Sequence, residues 1–127
     1  MKETSNRSET RTIKALIAKG ESELVEFKRQ WWDLDQAQGK ALLSKAVLAL
    51  ANTVGRDTTG YLLLGVEDDR TVVGLNEEKL PSPETVSNII ASYVHPPANV
   101  QCRHVSIDDR VVSVVSVHWT AARPHHS

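Results

Sequence analysis

Apolar residues change their period along this chain, from helical spacing to alternation and back, and each change marks an element. The opening stretch, MKETSNRSETRT, is polar and reads as a disordered leader over residues 1–9. Ile13, Leu16 and Ile17 then recur at helical spacing, and Gly20 stands where a helix would stop, which predicts a first helix over about residues 10–19. The next segment alternates: Val25 and Phe27 share one face, and Leu24, Glu26 and Lys28 share the other, so a strand begins near Leu24.

Residues 39–52 carry a broad apolar face of Leu42, Leu43, Ala46, Val47 and Leu50, the strongest helical signal in the chain. Asn52, Thr53 and Gly55 open a loop that leads into GYLLLGV. That unbroken apolar run implies a central strand covered on both faces. A charged turn, EDDR, is answered by TVVGL, which predicts the returning arm of a hairpin. Ser82 and Pro83 suit a helix start, Val86, Ile89, Ile90 and Tyr93 its buried stripe, and Pro96 and Pro97 its end. Two valine-rich runs, 100–107 and 111–119, bracket Asp108, Asp109 and Arg110 as a second hairpin. The order α-β-α-β-β-α-β-β implies a single α+β domain over residues 10–127, with three helices and a mixed sheet of about five strands.

Hydrophobic residues make up 40% of the 127 and charged residues 24%, the balance of a chain that folds around one core without staples. The lone Cys102 has no internal partner and reads as a small buried hydrophobe in a reducing compartment. Neither a secretory leader nor a run of ~20 apolar residues is present, so no membrane role and a cytoplasmic location are expected. A formal net charge of −1 supplies no global pull toward phosphate. Any affinity for nucleic acid must come from local clustering of cations.

Three stretches carry candidate chemistry: Glu21 with Glu26, Phe27 and Lys28; Ala51-Asn52-Thr53; and Gly65-Val66-Glu67-Asp68-Asp69. If the strands bearing Glu26 and Asp68 are neighbours, and Glu21 reaches the same edge, three carboxylates converge. Carboxylates tolerate that closeness when they share a divalent cation such as Mg²⁺ or Mn²⁺. Lys28 beside them suits the charge of a phosphodiester. The string Lys28-Arg29-Gln30-Trp31-Trp32 combines cations with aromatic faces, as single-stranded nucleic-acid sites do, although packing of at least one indole under the 39–52 helix or into a subunit interface is the favoured reading of the pair. No phosphate-binding G-x-x-x-x-G-K-[ST] motif occurs, and the five histidines lack metal-ligand spacing.

GESELVEFK, ALANT, GYLLLGVEDD followed by VVGL, NIIASYVHPP and ARPHH occur in that order from about Lys14 to His125, and together they resemble the Schlafen AlbA-like domain family. The resemblance implies a bacterial or archaeal DNA-binding module, often placed ahead of a helix-turn-helix region in transcriptional regulators. In the animal Schlafens a similar domain cleaves RNA, and the matching acidic positions here are Glu21, Glu26 and Asp68. That makes a metal-dependent endoribonuclease the alternative, with Mg²⁺ or Mn²⁺ as its cofactor; a non-catalytic protein-interaction domain is a third. The RNA-cleaving unit pairs two lobes, which a homodimer of this chain supplies. Lys28, Arg29, Trp31, Arg56 and Arg123 are the expected contacts to DNA or RNA. One departure is the longer loop, Arg56-Asp57-Thr58-Thr59, between Gly55 and Gly60.

Overall fold

Two apolar surfaces on one short sheet, one roofed by two helices and the other by one, organise the molecule. The computed structural model describes the backbone of residues 2–126 and side chains from Arg7 onward. Its elements are α1 (Lys2–Lys19), β1 (Val25–Lys28), α2 (Ala37–Ala51), β2 (Thr59–Leu64), a 3₁₀ turn (Glu77–Lys79), α3 (Pro83–Tyr93), β3 (Asn99–Ile107) and β4 (Arg110–His118). The sheet order is β1-β2-β4-β3, with β1 parallel to β2 and the other pairs antiparallel.

The apolar run of β2 is explained by its internal place in the sheet. Leu62 and Leu64 join the core beneath α2 and α3, with Leu43, Val47, Leu50, Val86, Ile90, Val115 and Val117. Leu63 points the other way, into a second core with Ile13 and Ile17 of α1, Phe27, Val112 and Val114. All three leucines are fully buried, each stabilising by roughly 1.5–3 kcal/mol. On β1, Val25 and Phe27 are buried while Glu26 and Lys28 are half-exposed, as the alternation predicts.

The sheet has four strands rather than about five, because the arm after the charged turn does not form one. Val72 makes only an isolated bridge with Val66. Both sides of β2 are already taken, by β1 and β4, so the arm meets that strand only past its end: the amides of Val73 and Gly74 donate to the Gly65 carbonyl. Gly65 and Gly74 take positive φ of 102° and 80°, and Leu75 then donates to the Val111 carbonyl of β4. The chain leaves the sheet there.

At the N-terminus the helix begins at Lys2, within the stretch expected to be disordered, rather than near residue 10. Lys, Glu and Arg are good helix formers, and long-range contacts hold this end down. Glu9 pairs with Arg103 of β3, and Thr10 Oγ1 donates to the Ser106 carbonyl at 3.3 Å. Gly20 ends α1 with a positive φ of 90°, and Arg70 donates to the Ala18 carbonyl at 3.0 Å.

Helix α2 follows its predicted face except at Leu42, which is 40% exposed. Its first turn passes so close to the preceding loop that a Cβ on Gly39 would lie 1.9 Å from the Asp33 carbonyl oxygen, which no side chain can occupy. Ser82 caps α3 by accepting from the Thr85 amide at 3.1 Å, and Pro83 fills its first turn. The β3–β4 hairpin turns on Asp108 and Asp109, both left-handed at φ 49° and 68°, as two-residue hairpin loops require.

Candidate nucleic-acid interface

The carboxyl ends of the parallel strands β1 and β2 open side by side, which is where open α/β sheets expose their backbone polar groups to ligands. The Lys28 carbonyl accepts from the amides of Gly65 and Val66, at 2.8 and 3.1 Å, and so locks the two exits together. From one exit come Arg29, Trp31 and Trp32; from the other, Glu67, Asp68 and Asp69. Arg29 pairs with Glu67 at 2.6 Å, Lys28 with Glu26 at 3.4 Å, and the Lys28 ammonium sits 5.8 Å from the Trp32 ring centroid. These pairs are largely solvated, and each contributes at most about 1 kcal/mol.

The two tryptophans have different tasks. Trp31 Nε1 donates to Ser113 Oγ at 2.9 Å, and Ser113 also lies 2.8 Å from His104 Nδ1. His104 Nε2 is 2.9 Å from the Pro81 carbonyl, which can only accept, so that nitrogen carries the proton and Nδ1 accepts from the serine hydroxyl. Ser113 is fully buried, so the Ser–His pair serves the fold and does not face a substrate. Trp31 is tied into the fold by this relay. Trp32 also packs partly against the core beneath α2, and is half-exposed beside Lys28.

An open cleft of about 770 Å³ lies against both indoles, closed on the far side by Leu75, Asn76, Lys79 and Pro81. Lys79 was not legible as a site residue. It sits in a short polar insertion between elements, and only the return of that segment toward the tryptophans gives it a role.

The three acids are not drawn together. Glu21 Oε2 accepts from the Phe27 amide at 2.9 Å, so its carboxylate completes the hydrogen bonding of the edge strand β1. Glu26 faces Lys28, and Asp68 projects from the turn beyond β2 and is exposed. Beside it, Asp69 accepts from the Thr71 amide at 2.9 Å, and hydrogen bonds from Thr71 hold its carboxyl below the usual value. Among the described residues no three of His, Cys, Asp and Glu are grouped to hold a metal ion. Glu21, Glu26 and Asp68 as placed do not fit a resident Mg²⁺ or Mn²⁺.

Arg56 and Arg123 lie at the opposite end of β2 from Arg29, about 20 Å away along six residues of strand. The Arg56 guanidinium stacks 5.0 Å from the Trp119 centroid. Arg123 donates to the Val54 and Asn52 carbonyls at 2.6 and 2.7 Å, capping the exposed carbonyls where α2 ends. Beside it Asn52 grips the backbone of His125 in both directions, Nδ2 to the carbonyl at 3.0 Å and the amide to Oδ1 at 2.8 Å. His125 is 3% exposed, and its Nδ1 donates to the Pro96 carbonyl at 2.7 Å. These bonds clamp the ARPHH segment to the Asn52 turn.

A family description, Schlafen, AlbA_2, matches residues 21–127. Among solved structures, the DIP2311 protein of Corynebacterium diphtheriae superposes with a TM-score of 0.57 at 17% identity, covering 92% of this chain and 26% of that one. The N-terminal domain of a RecG-related protein of Nitrosomonas europaea superposes with a TM-score of 0.51 at 23% identity, covering 87% of this chain and 73% of that one. This chain thus spans about a quarter of the Corynebacterium protein, and both likenesses are of fold. No curated protein matches the sequence.

Proposed function

Because the chain belongs to the Schlafen AlbA_2 family, we propose that it is a nucleic-acid-binding module, the N-terminal part of a bacterial transcriptional regulator. The observation that carries this reading is the Lys28–Trp32 stack with Arg29 at the exit of the parallel strands, opening on the cleft lined by Trp31, Trp32 and Lys79. A base stacks on the exposed part of Trp32, while Lys28 and Arg29 exchange their carboxylate partners for phosphate oxygens. Those exchanges are cheap because Glu26 and Glu67 are themselves solvated. No helix among the described residues is long and apolar enough to cross a membrane.

Titration of a labelled oligonucleotide across salt concentrations tests the reading. Binding is expected to weaken as salt rises, Arg29→Gln to lower the log–log salt slope by about 1, and Trp32→Ala to cost about 1–3 kcal/mol. Absence of binding, or an affinity indifferent to salt, would overturn it. Labelled tRNA incubated with Mn²⁺ is expected to remain intact; cleavage that disappears in Glu26→Ala would reinstate a nuclease.

A further inference from the structure

A second cationic surface lies on the opposite face of the sheet, away from the tryptophans. Arg7, Arg11 and Lys14 recur at i, i+4 and i+7 on α1 and so share one side of the helix, adjoining the side on which Ile13 and Ile17 are buried. Between that stripe and β3 runs a groove of about 670 Å³, floored by Val105 and Ser106 and flanked by His104.

The charge in this groove departs from that of the chain. Among the described residues, Glu9 lines it and is held by Arg103, and Asp108, outside the lining, is held by Lys14 at 3.1 Å. Arg7 and Arg11 add to those pairs and are exposed, so among the described residues four cations stand against two carboxylates, in a protein whose formal net charge is −1. The arginines are one helical turn apart, about 6 Å of rise, on the order of the separation of neighbouring phosphates along a strand. Among the described residues no Trp, Tyr or Phe lines the groove, and the one ring at its flank, His104, is held by Ser113 and the Pro81 carbonyl. Its chemistry is that of backbone contact, which positions a nucleic acid without reading its sequence.

We infer that the α1–β3 groove is a second nucleic-acid contact, in which Arg7 and Arg11 bind consecutive phosphates of a bound strand. The inference rests on the nucleic-acid reading above and deepens it. The helix that supplies both arginines lies outside residues 21–127, the span matched by the family, so this surface does not come with that match. Arg103 anchors the groove from below: besides Glu9, its Nη1 donates to Ser116 Oγ at 2.8 Å. The helix is thereby held against β3 with its basic side outward.

Fluorescence anisotropy with labelled single- and double-stranded oligonucleotides tests this on the full chain. The variants are Arg11→Gln, Arg7→Gln/Arg11→Gln, and Lys45→Gln as a charge-matched control for Arg11→Gln, placed on the exposed side of α2 across the sheet. Arg11→Gln is expected to lower the log–log salt slope by about 1 and the double variant by about 2, with a roughly tenfold loss of affinity at low salt. Lys45→Gln should leave both near wild type, and thermal melts should coincide for all three, since the changes are at exposed helical positions. If wild type binds and the double variant binds with its slope intact, the groove is overturned while the Trp32 site stands. If wild type binds neither oligonucleotide, both readings fall together.

Discussion

Replacing Asn52 by Ala should unlatch the C-terminal segment, and the structure sets the size of the effect. The carboxamide makes two hydrogen bonds to the backbone of His125, at 3.0 and 2.8 Å, and that residue is 3% exposed. Removing both leaves a buried amide and a buried carbonyl without partners unless water enters. At about 1–3 kcal/mol for each stranded group, with some relief from the nearby surface, the loss is about 2–4 kcal/mol. A domain of this size has about 5–15 kcal/mol in total. In a urea titration followed by tryptophan fluorescence, with a slope of about 1–3 kcal/mol/M, the midpoint should fall by roughly 1–2 M with the slope unchanged. Asn52→Asp should fare no better, because its second oxygen would face the His125 carbonyl. Arg123→Gln should be non-additive with Asn52→Ala, since Arg123 also grips this turn through the Asn52 and Val54 carbonyls. Faster amide exchange over residues 120–126 in Asn52→Ala would locate the change. A destabilisation below about 0.5 kcal/mol, the ordinary scatter of surface substitutions, would refute the latch.

Gly39→Ala should cost more than about 3 kcal/mol or prevent folding, since its Cβ would meet the backbone of Asp33 at 1.9 Å; a melting temperature near wild type would contradict this close approach. Ser113→Ala strands Trp31 Nε1 and His104 Nδ1 together, so a loss of about 2 kcal/mol and altered tryptophan emission are expected in denaturation monitored by fluorescence. Burial pushes the Cys102 thiol up to about 11. At pH 8 only about a thousandth is thiolate, so alkylation should be slow in the native protein, rise with pH, and become orders of magnitude faster in urea.

Helix α2, the two-faced strand β2, the capped helix α3 and the β3–β4 hairpin were legible because each is written in local terms: a period, a cap, or a pair of residues tolerant of a left-handed turn. The membership of Glu26 and Lys28 on one side of β1 was legible for the same reason. What depended on the return path of the chain was not. The arm at residues 71–75 has strand composition, yet β2 had no open side left to receive it. Glu21, Glu26 and Asp68 stand in suggestive order along the chain, but the first turns to the Phe27 amide and the last projects past the strand end.

Trp31 and Trp32 are identical neighbours in the sequence, and only the position of Ser113, 82 residues from Trp31, decides which indole nitrogen is bonded into the fold. Asn52 and His125 meet across 73 residues, and Arg7 and Arg11 acquire a groove only because β3 lies beneath α1. Local pattern thus determined the elements and the residue types available for chemistry. Tertiary structure decided which polar groups are consumed in holding the fold and which remain to meet a ligand, because a buried donor or acceptor must be matched by whatever residue the folded chain brings to it.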